Sequence, residues 1–481
     1  MVSISFDKFY GVRLGDEMDI LTINLNSKSN VPQYIQIYNF IKEEIQVGRL
    51  ESNSKLPSKR KLSKHLGVSQ NTIEAAYEQL KAEGYIISIP KKGYFVSKLQ
   101  GVVKINTVKE DKKEKSKVKK PYKYEFYSSR VDLESFPYSI WKKINKDIIS
   151  EENKDLLQIG HSQGDRNLRE AILNYLKFSR GVNASIDNLI IGSGSEYLIQ
   201  VLINIIGRDK NYATEEPGYY KIRKIFKIND IDSKAIPIDE QGINIESLSS
   251  NNIEDLHITP SHQFPTGVIM PVNRRLNLLN WAEEEKGRYI IEDDYDSEFR
   301  FEGKPIPALQ SLDSKGKVIY LGTFSKCFFP SIRIAYMILP DELVKIYRKE
   351  FSFLACAVSR FSQQALVRFI NEGYFERHLN RMRNIYKKKR EFLVSLIKKY
   401  LPNTEIIGTN SGLHLLLKVN NGMSEEELIK AAEEKEIRIL GLSNSYLNKP
   451  EEKNTIFLGY ASLKNEEMEK AIILLREAWN L

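Results

Sequence analysis

The chain has 481 residues, 41% of them hydrophobic, which is enough for two or more globular domains. Its formal net charge of +9 is unevenly spread: residues 32–100 carry 11 Lys or Arg against 6 Asp or Glu, residues 101–124 carry 9 against 3, and the remainder is slightly acidic. Such a distribution points to a polyanion such as DNA meeting the N-terminal portion. Two cysteines exclude a disulfide framework, and with no signal peptide or long apolar run the expectation is a cytoplasmic protein without a membrane span.

Residues 1–31 read as an N-terminal extension with a strand-like alternation over 19–25, and the start can be Met1 or Met18. From Pro32 the pattern turns helical, with Tyr34, Tyr38, Ile41 and Ile45 spaced to line one face and Gly48 as the stop. Ser58 is placed to cap a short helix to about Leu66, and Ser69, after Gly67, to cap a second that runs to Glu83. Two short helices joined through glycine predict a helix-turn-helix whose second member reads DNA. A hairpin with a basic tip at Lys91 and Lys92 follows, giving a winged helix-turn-helix over 32–97. Residues 98–124, rich in lysine and poor in large apolar side chains, read as a basic flexible linker.

From 125 to 481, strand-like runs alternate with helical stretches, which predicts a doubly wound α/β domain. The run 189–192 enters a helix through Gly192 and Gly194 at Ser195 and Glu196, where free N–H groups suit a phosphate. Tyr219, after Pro217 and Gly218, can present a ring to a ligand, whereas His262 reads as a structural hydrogen bonder.

The richest stretch is 289–333. A buried strand ends in Glu292, Asp293, Asp294 and Tyr295, with Asp293 and Tyr295 two apart and therefore on one side. A second strand delivers Thr323, Ser325 and Lys326, and Arg333 follows. Pyridoxal phosphate needs this set. A lysine amine forms a Schiff base with the aldehyde, and a carboxylate keeps the pyridine nitrogen protonated. A phenol bonds the ring oxygen, while hydroxyls and a planar guanidinium hold the phosphate. In this order the candidates are Lys326 (also the catalytic residue), Asp293, Tyr295, then Thr323, Ser325 and Arg333. No metal site is expected.

The runs Leu56-Pro57-Ser58-Lys59-Arg60-Lys61-Leu62, Val68-Ser69-Gln70-Asn71-Thr72-Ile73, Glu83-Gly84-Tyr85 and Gly93-Tyr94-Phe95-Val96 resemble the winged helix of the GntR family. By that resemblance Ser58, Lys59, Arg60, Ser69, Gln70, Asn71, Thr72, Lys91 and Lys92 meet operator DNA, and Gln70 favours adenine over guanine. The downstream motifs resemble a fold-type I aminotransferase, so the whole, from residue 19 on, is similar to the GabR-like MocR subfamily of GntR-type regulators. The resemblance implies a lysine-bound cofactor on Lys326, phosphate held by Ser195, Ser325 and Arg333, and a head-to-tail homodimer.

Three departures bear on function. Phe264 stands where an asparagine precedes Pro-Thr-Gly in catalytic members, which leaves Gln263 or His262 as substitutes at the ring oxygen. Ile159 replaces a phosphate-binding tyrosine, and 457–460 lack the arginine that grips a substrate carboxylate, leaving Arg223 or Arg438 for an effector. The expected function is a regulator that senses an amino acid or amine, such as γ-aminobutyrate, by letting it displace Lys326 on the cofactor. The alternatives are a working aminotransferase with an attached DNA-binding domain and a cofactor-free regulator.

Overall fold

The computed structural model describes residues 23–26, 29–98, 122–127, 130–301, 303, 306–409, 412–447 and 454–481. It divides into two units, Met1–Lys119 and Lys120–Leu481. The first contains α1 (Gln33–Gln46), α2 (Lys59–Leu66), α3 (Gln70–Ala82) and an antiparallel hairpin of β1 (Ile86–Ile89) and β2 (Gly93–Val96). Both expected caps form: the Ser58 hydroxyl accepts from the Lys61 N–H, and that of Ser69 from the Thr72 N–H. Ile37, Ile41 and Ile45 of α1 pack on Leu62, Ile73, Ala76, Tyr77, Leu80, Ile86 and Val96 in one small core.

Three sequence expectations change here. Tyr34 is exposed, and Tyr38 spends its hydroxyl on Glu83, so Ile37 completes the buried stripe of α1. Residues 23–26 form no strand; Ile23 joins the small core, and the rest of the expected strand lies outside the described residues. The expected linker ends early, because Lys123 and Tyr124 already hydrogen bond to the Glu436 carbonyl and Tyr122 to the Glu433 carboxylate. Its portion 99–121 lies outside the described residues.

The second unit begins with β3 (Tyr124–Glu125), α4 (Tyr138–Ile148), α5 (Arg166–Arg180), β4 (Leu189–Gly192), α6 (Ser195–Ile206), β5 (Tyr212–Glu216) and α7 (Tyr220–Ile228). It continues through β6 (Lys234–Asp239), β7 (Gly242–Ile243), α8 (Ile245–Ser250), β8 (Asp255–Ile258), α9 (Val272–Glu283), β9 (Tyr289–Asp294), β10 (Val318–Thr323), β11 (Ala335–Ile338) and α10 (Asp341–Ile346). These strands build an eight-stranded sheet in the order β4-β11-β10-β9-β8-β5-β6-β7. Its middle, β10-β9-β8-β5-β6, is parallel. Strands β4, β8, β9 and β11 are buried along their whole length, because helices cover both faces of a doubly wound sheet.

The chain then runs through α11 (Arg360–Asn371), the long α12 (Tyr374–Tyr400), β12 (Thr404–Ile407), β13 (His414–Val419), α13 (Glu425–Glu434), β14 (Ile437–Arg438), β15 (Leu440–Gly441), β16 (Thr455–Gly459) and α14 (Asn465–Ala478). A second, antiparallel sheet has the order β12-β13-β16-β15, and β14 pairs in parallel with β3. The principal core of the unit links the two sheets through residues such as Phe299, Phe324, Tyr386, Leu415 and Leu458. Among the described residues no helix is long and apolar enough to cross a membrane.

Candidate functional site

Alternation along β9 sorts its carboxylates. Glu292 turns to one side, where its oxygens accept the N–H groups of Leu309 (2.8 Å) and Gln310 (2.9 Å). Asp294 turns the same way and forms a buried ion pair with Arg180 Nε at 2.8 Å, with the Tyr320 hydroxyl donating as well. Asp293 and Tyr295 turn the other way, into a cavity of 1140 Å³ at the carboxyl end of the parallel strands. His257, on the adjacent β8, lies with Nε2 3.3 Å from Asp293 Oδ2.

The cavity brings together Ser195, Glu196, Tyr219, Thr323, Ser325, Lys326, Arg333, Arg223 and Arg438. The Thr323 hydroxyl donates to Ser325 Oγ at 3.0 Å, and Arg333 reaches Glu196 Oε2 (3.0 Å) and the Ser193 carbonyl (3.1 Å). Arg333 itself has φ +50°, a left-handed conformation uncommon for a residue other than glycine and held here by the turn that ends at Ile332. A Cβ at Gly194 would overlap its guanidinium, so a bare backbone is required beside the start of α6. Burial pushes the Lys326 amine down to about 8, against the attraction of Asp296, which raises it. That leaves a useful fraction of neutral amine near pH 7.

These groups fit pyridoxal phosphate: a nucleophilic amine, a buried carboxylate, a phenol, and a cradle of hydroxyls, backbone and guanidinium that a Cβ would fill. Burial, with Asp296 and Asp293 adding to it, keeps the Tyr295 phenol protonated well past its usual range. Among the described residues no cluster is placed to hold a metal ion.

Gln263 is not brought to this cavity, which corrects its expected place at the ring oxygen. Its Nε2 donates to the Pro217 (2.8 Å) and Phe264 (2.7 Å) carbonyls, and its Oε1 accepts from the Thr266 hydroxyl, so the amide knots the turn instead. Phe264 faces the cavity, with its ring stacked on Phe457 at 5.7 Å and 22°. The two candidate arginines differ. Arg438 lies 4.7 Å from the Tyr127 ring and 3.7 Å from Glu125 Oε2, whereas Arg223 has a buried Nη1 without a hydrogen-bond partner among the described residues. Ile159 stands 85% exposed, away from the cavity lining.

On the smaller unit, Arg60, Gln70, Asn71, Lys91 and Lys92 are exposed. Ser58, Ser69 and Thr72 are engaged in caps, with the Ser69 and Thr72 hydroxyls 2.8 Å apart, and Lys59 pairs with Glu74 at 2.6 Å. Sequence reasoning missed His257, Asp296, His414 and Phe457. The only signal was a histidine inside the apolar run of β8, next to the strand that carries Asp293.

Residues 33–96 match the model for bacterial regulatory proteins of the gntR family, and residues 130–473 that for aminotransferase class I and II. The chain is 39% identical to the HTH-type transcriptional regulator YdeL of Bacillus subtilis, over 96% of this chain and 100% of that one. It is 31% identical to the probable rhizopine catabolism regulatory protein MocR of Rhizobium meliloti, over 95% of each chain. The chain belongs to the MocR subfamily of GntR-type regulators. Its larger unit has the fold-type I aminotransferase fold. A solved kynurenine aminotransferase from Pyrococcus horikoshii, in complex with PMP, superposes with a TM-score of 0.67 at 25% identity, covering 74% of this chain and 90% of that one. As a MocR-type protein the chain takes pyridoxal phosphate as its cofactor.

Proposed function

We propose that the chain is a transcriptional regulator that binds operator DNA through α3 and the β1–β2 wing and senses an amino compound in the cavity of its larger unit. The observation that carries this reading is the Phe264–Phe457 stack in a cavity that keeps Lys326, Asp293, Tyr295 and Arg333. Those four retain what binding an amine requires. The stack puts two apolar rings where an amino-transferring enzyme has polar grips on ring oxygen and substrate carboxylate, which favours capture over turnover.

The cofactor supplies an aldehyde that condenses with a primary amine and a ring that accepts electron density. Lys326, its amine lowered by burial, would hold the cofactor. Asp293 would face the pyridine nitrogen, with His257 behind it. Tyr295 would donate to the ring oxygen. Arg333, Ser195, Thr323 and Ser325 would anchor the phosphate, and Glu196 orients Arg333. Tyr219 flanks the ring, in edge contact with Phe264 at 5.2 Å. Arg223, with its buried and unengaged Nη1, grips an anionic group of the effector, and Arg438 closes the cavity rim. Effector binding then shifts operator affinity by linkage, a coupling of about 1–3 kcal/mol in typical cases. Arg60, Gln70, Asn71, Lys91 and Lys92 are free to meet DNA, while Ser58 and Ser69 set the helix starts. The protein is cytoplasmic in this reading and works as a head-to-tail homodimer, a use for exposed apolar side chains such as Ile149, Leu157 and Phe353.

The test is a screen of amino acids and amines against the loaded protein that follows the visible band, keto-acid release and operator affinity together. A band change that alters DNA affinity without sustained keto acid is expected. Steady keto-acid production with unchanged DNA binding would instead assign a working aminotransferase.

A further inference from the structure

Tyr295 does not stand alone in the cavity wall. Its hydroxyl lies 2.9 Å from His262 Nδ1, and the same nitrogen lies 3.0 and 3.1 Å from the two carboxylate oxygens of Asp296. His262 and Asp296 are both buried, 4% and 3% exposed, with no solvent to satisfy either. The backbone fixes the pair from two sides. A Cβ at Gly412 would overlap the His262 ring and crowd the Asp296 carboxylate, and one at Gly267 would sit 3.3 Å from His262 Nε2. The Tyr460 hydroxyl holds Gly412 in place through its carbonyl, at 2.5 Å.

We infer that His262 and Asp296 are positioning residues that turn the Tyr295 phenol proton toward the cofactor ring oxygen, and so do the work of the asparagine that Phe264 replaces. This rests on the cofactor-sensing reading above. Nδ1 has one place for either a proton or a lone pair. Facing two carboxylate oxygens at 3 Å, it carries the proton, because a bare lone pair there would meet only acceptors. The Tyr295 oxygen beside that N–H can then only accept from it. The phenol's own proton therefore points elsewhere, and the open side is the cavity. A phenol whose oxygen accepts one hydrogen bond is also a better donor of its own, by polarisation along the chain. The dyad thus fixes both the direction and the strength of the Tyr295 donor.

The other titratable groups that face the dyad include His414, Lys326, Glu298 and Tyr460; burial pushes the Glu298 carboxyl up to about 7 and keeps the Tyr460 phenol protonated. The His414 ring is 5.7 Å from His262, and burial holds it down at about 4, so it stays a neutral donor to the Pro265 carbonyl at 3.2 Å. Lys326 feels the Asp296 charge across the cavity. Replacing Asp296 by asparagine frees the Nδ1 lone pair, and Tyr295 then donates to His262 and withdraws from the cofactor.

The experiment is a pH titration of the visible band of the cofactor-loaded wild type, Asp296→Asn, His262→Phe, Tyr295→Phe and the double variant Tyr295→Phe/His262→Phe. Loss of a donor to a ring oxygen that is anionic in the high-pH form raises the midpoint. A hydrogen bond to a charged acceptor corresponds to a shift of about one pH unit. Tyr295→Phe and His262→Phe are expected to move upward by a similar amount, and Asp296→Asn by less because it also removes a negative charge that raises the Lys326 nitrogen, with the double variant no further than Tyr295→Phe alone. Cofactor retention, read by band intensity after gel filtration, controls for folding, and His262→Asn serves as a milder second variant. A His262→Phe midpoint equal to wild type, or shifts that add in Tyr295→Phe/His262→Phe, overturns the inference. A wild type that takes up no cofactor overturns the parent reading instead.

Discussion

Asp293 and Asp294 are neighbours in sequence with opposite surroundings, so exchanging each for asparagine should separate a ligand defect from a folding defect. Asp294 and Arg180 are 2.8 Å apart, with side chains only 3% and 6% exposed. Removing one charge from a buried pair strands the other in a low dielectric and costs about 3–5 kcal/mol. The Tyr320 hydroxyl and Ser261 Oγ, which also serve this pair, cannot neutralise a guanidinium. Asp294→Asn keeps the volume and one acceptor, so the lower end, about 3 kcal/mol, applies. Asp293→Asn strands no guanidinium, since its close neighbour is the His257 imidazole, and about 1 kcal/mol or less is expected. Trp141, Trp281 and Trp479 all lie in the larger unit, so urea unfolding of the apoprotein followed by tryptophan fluorescence reports on that unit alone. Asp294→Asn should unfold at markedly lower urea yet keep its cofactor band at low temperature. Asp293→Asn should unfold near wild type with a displaced band. Equal urea midpoints for the two variants, or an Asp294→Asn protein as stable as wild type, would refute the assignment.

On the DNA side, Arg60→Ala should weaken operator binding and lower the slope of log affinity against log salt by about one, measured by anisotropy across a salt series. Glu74→Gln should act in the opposite direction: it releases Lys59, now held at 2.6 Å, for a phosphate, and a several-fold gain in affinity is expected where an unchanged affinity would remove Lys59 from the interface. Covalent capture of pyridoxal phosphate by the apoprotein should rise about tenfold per pH unit up to about 8 and then level off, since Lys326 titrates there, and should vanish in Lys326→Ala. The same depressed amine makes the unfolded chain bind more protons than the folded one between about 8 and the ordinary lysine value. Apoprotein stability should therefore rise with pH across that window and not fall.

Local rules made much of this legible. Ser58 and Ser69 announced both helix starts because capping is decided by residues three apart. Period two sorted Asp293 and Tyr295 onto one face, and the structure adds that Glu292 and Asp294 on the other face serve Leu309, Gln310 and Arg180. What stayed hidden depends on contacts between distant segments. His262 meets Asp296 across 34 residues, and Phe264 meets Phe457 across nearly two hundred, so no window of sequence contains either pair. Gln263 looked available because its neighbour Phe264 had displaced an asparagine, yet the tight turn at 263–267 needs both ends of its amide. Tyr34 and Tyr38 matched the helical period of α1, and Ile37 matched it too; the more apolar side chain took the buried place.

An apparatus of this kind suits detection for a reason of magnitude. A ligand moves a two-state equilibrium only by the difference in its affinity for the two states, and a shift from 1:99 to 99:1 takes about 5.5 kcal/mol. In the proposed reading, one carboxylate on Arg223 would supply about 1.5–3 kcal/mol through charge-assisted hydrogen bonds. That falls short alone, and any small acid would supply it equally. Under the same reading, exchange of an amine for Lys326 would add a covalent contribution open only to primary amines, so the two requirements together would select for an amine carrying an anion at a set distance. The apolar wall of Phe264 and Phe457 provides no second polar grip, and so in the proposed reading a captured amine would be held by two points and not driven onward by a third. Discrimination then comes from needing both points at once, because each alone is too weak to shift the population.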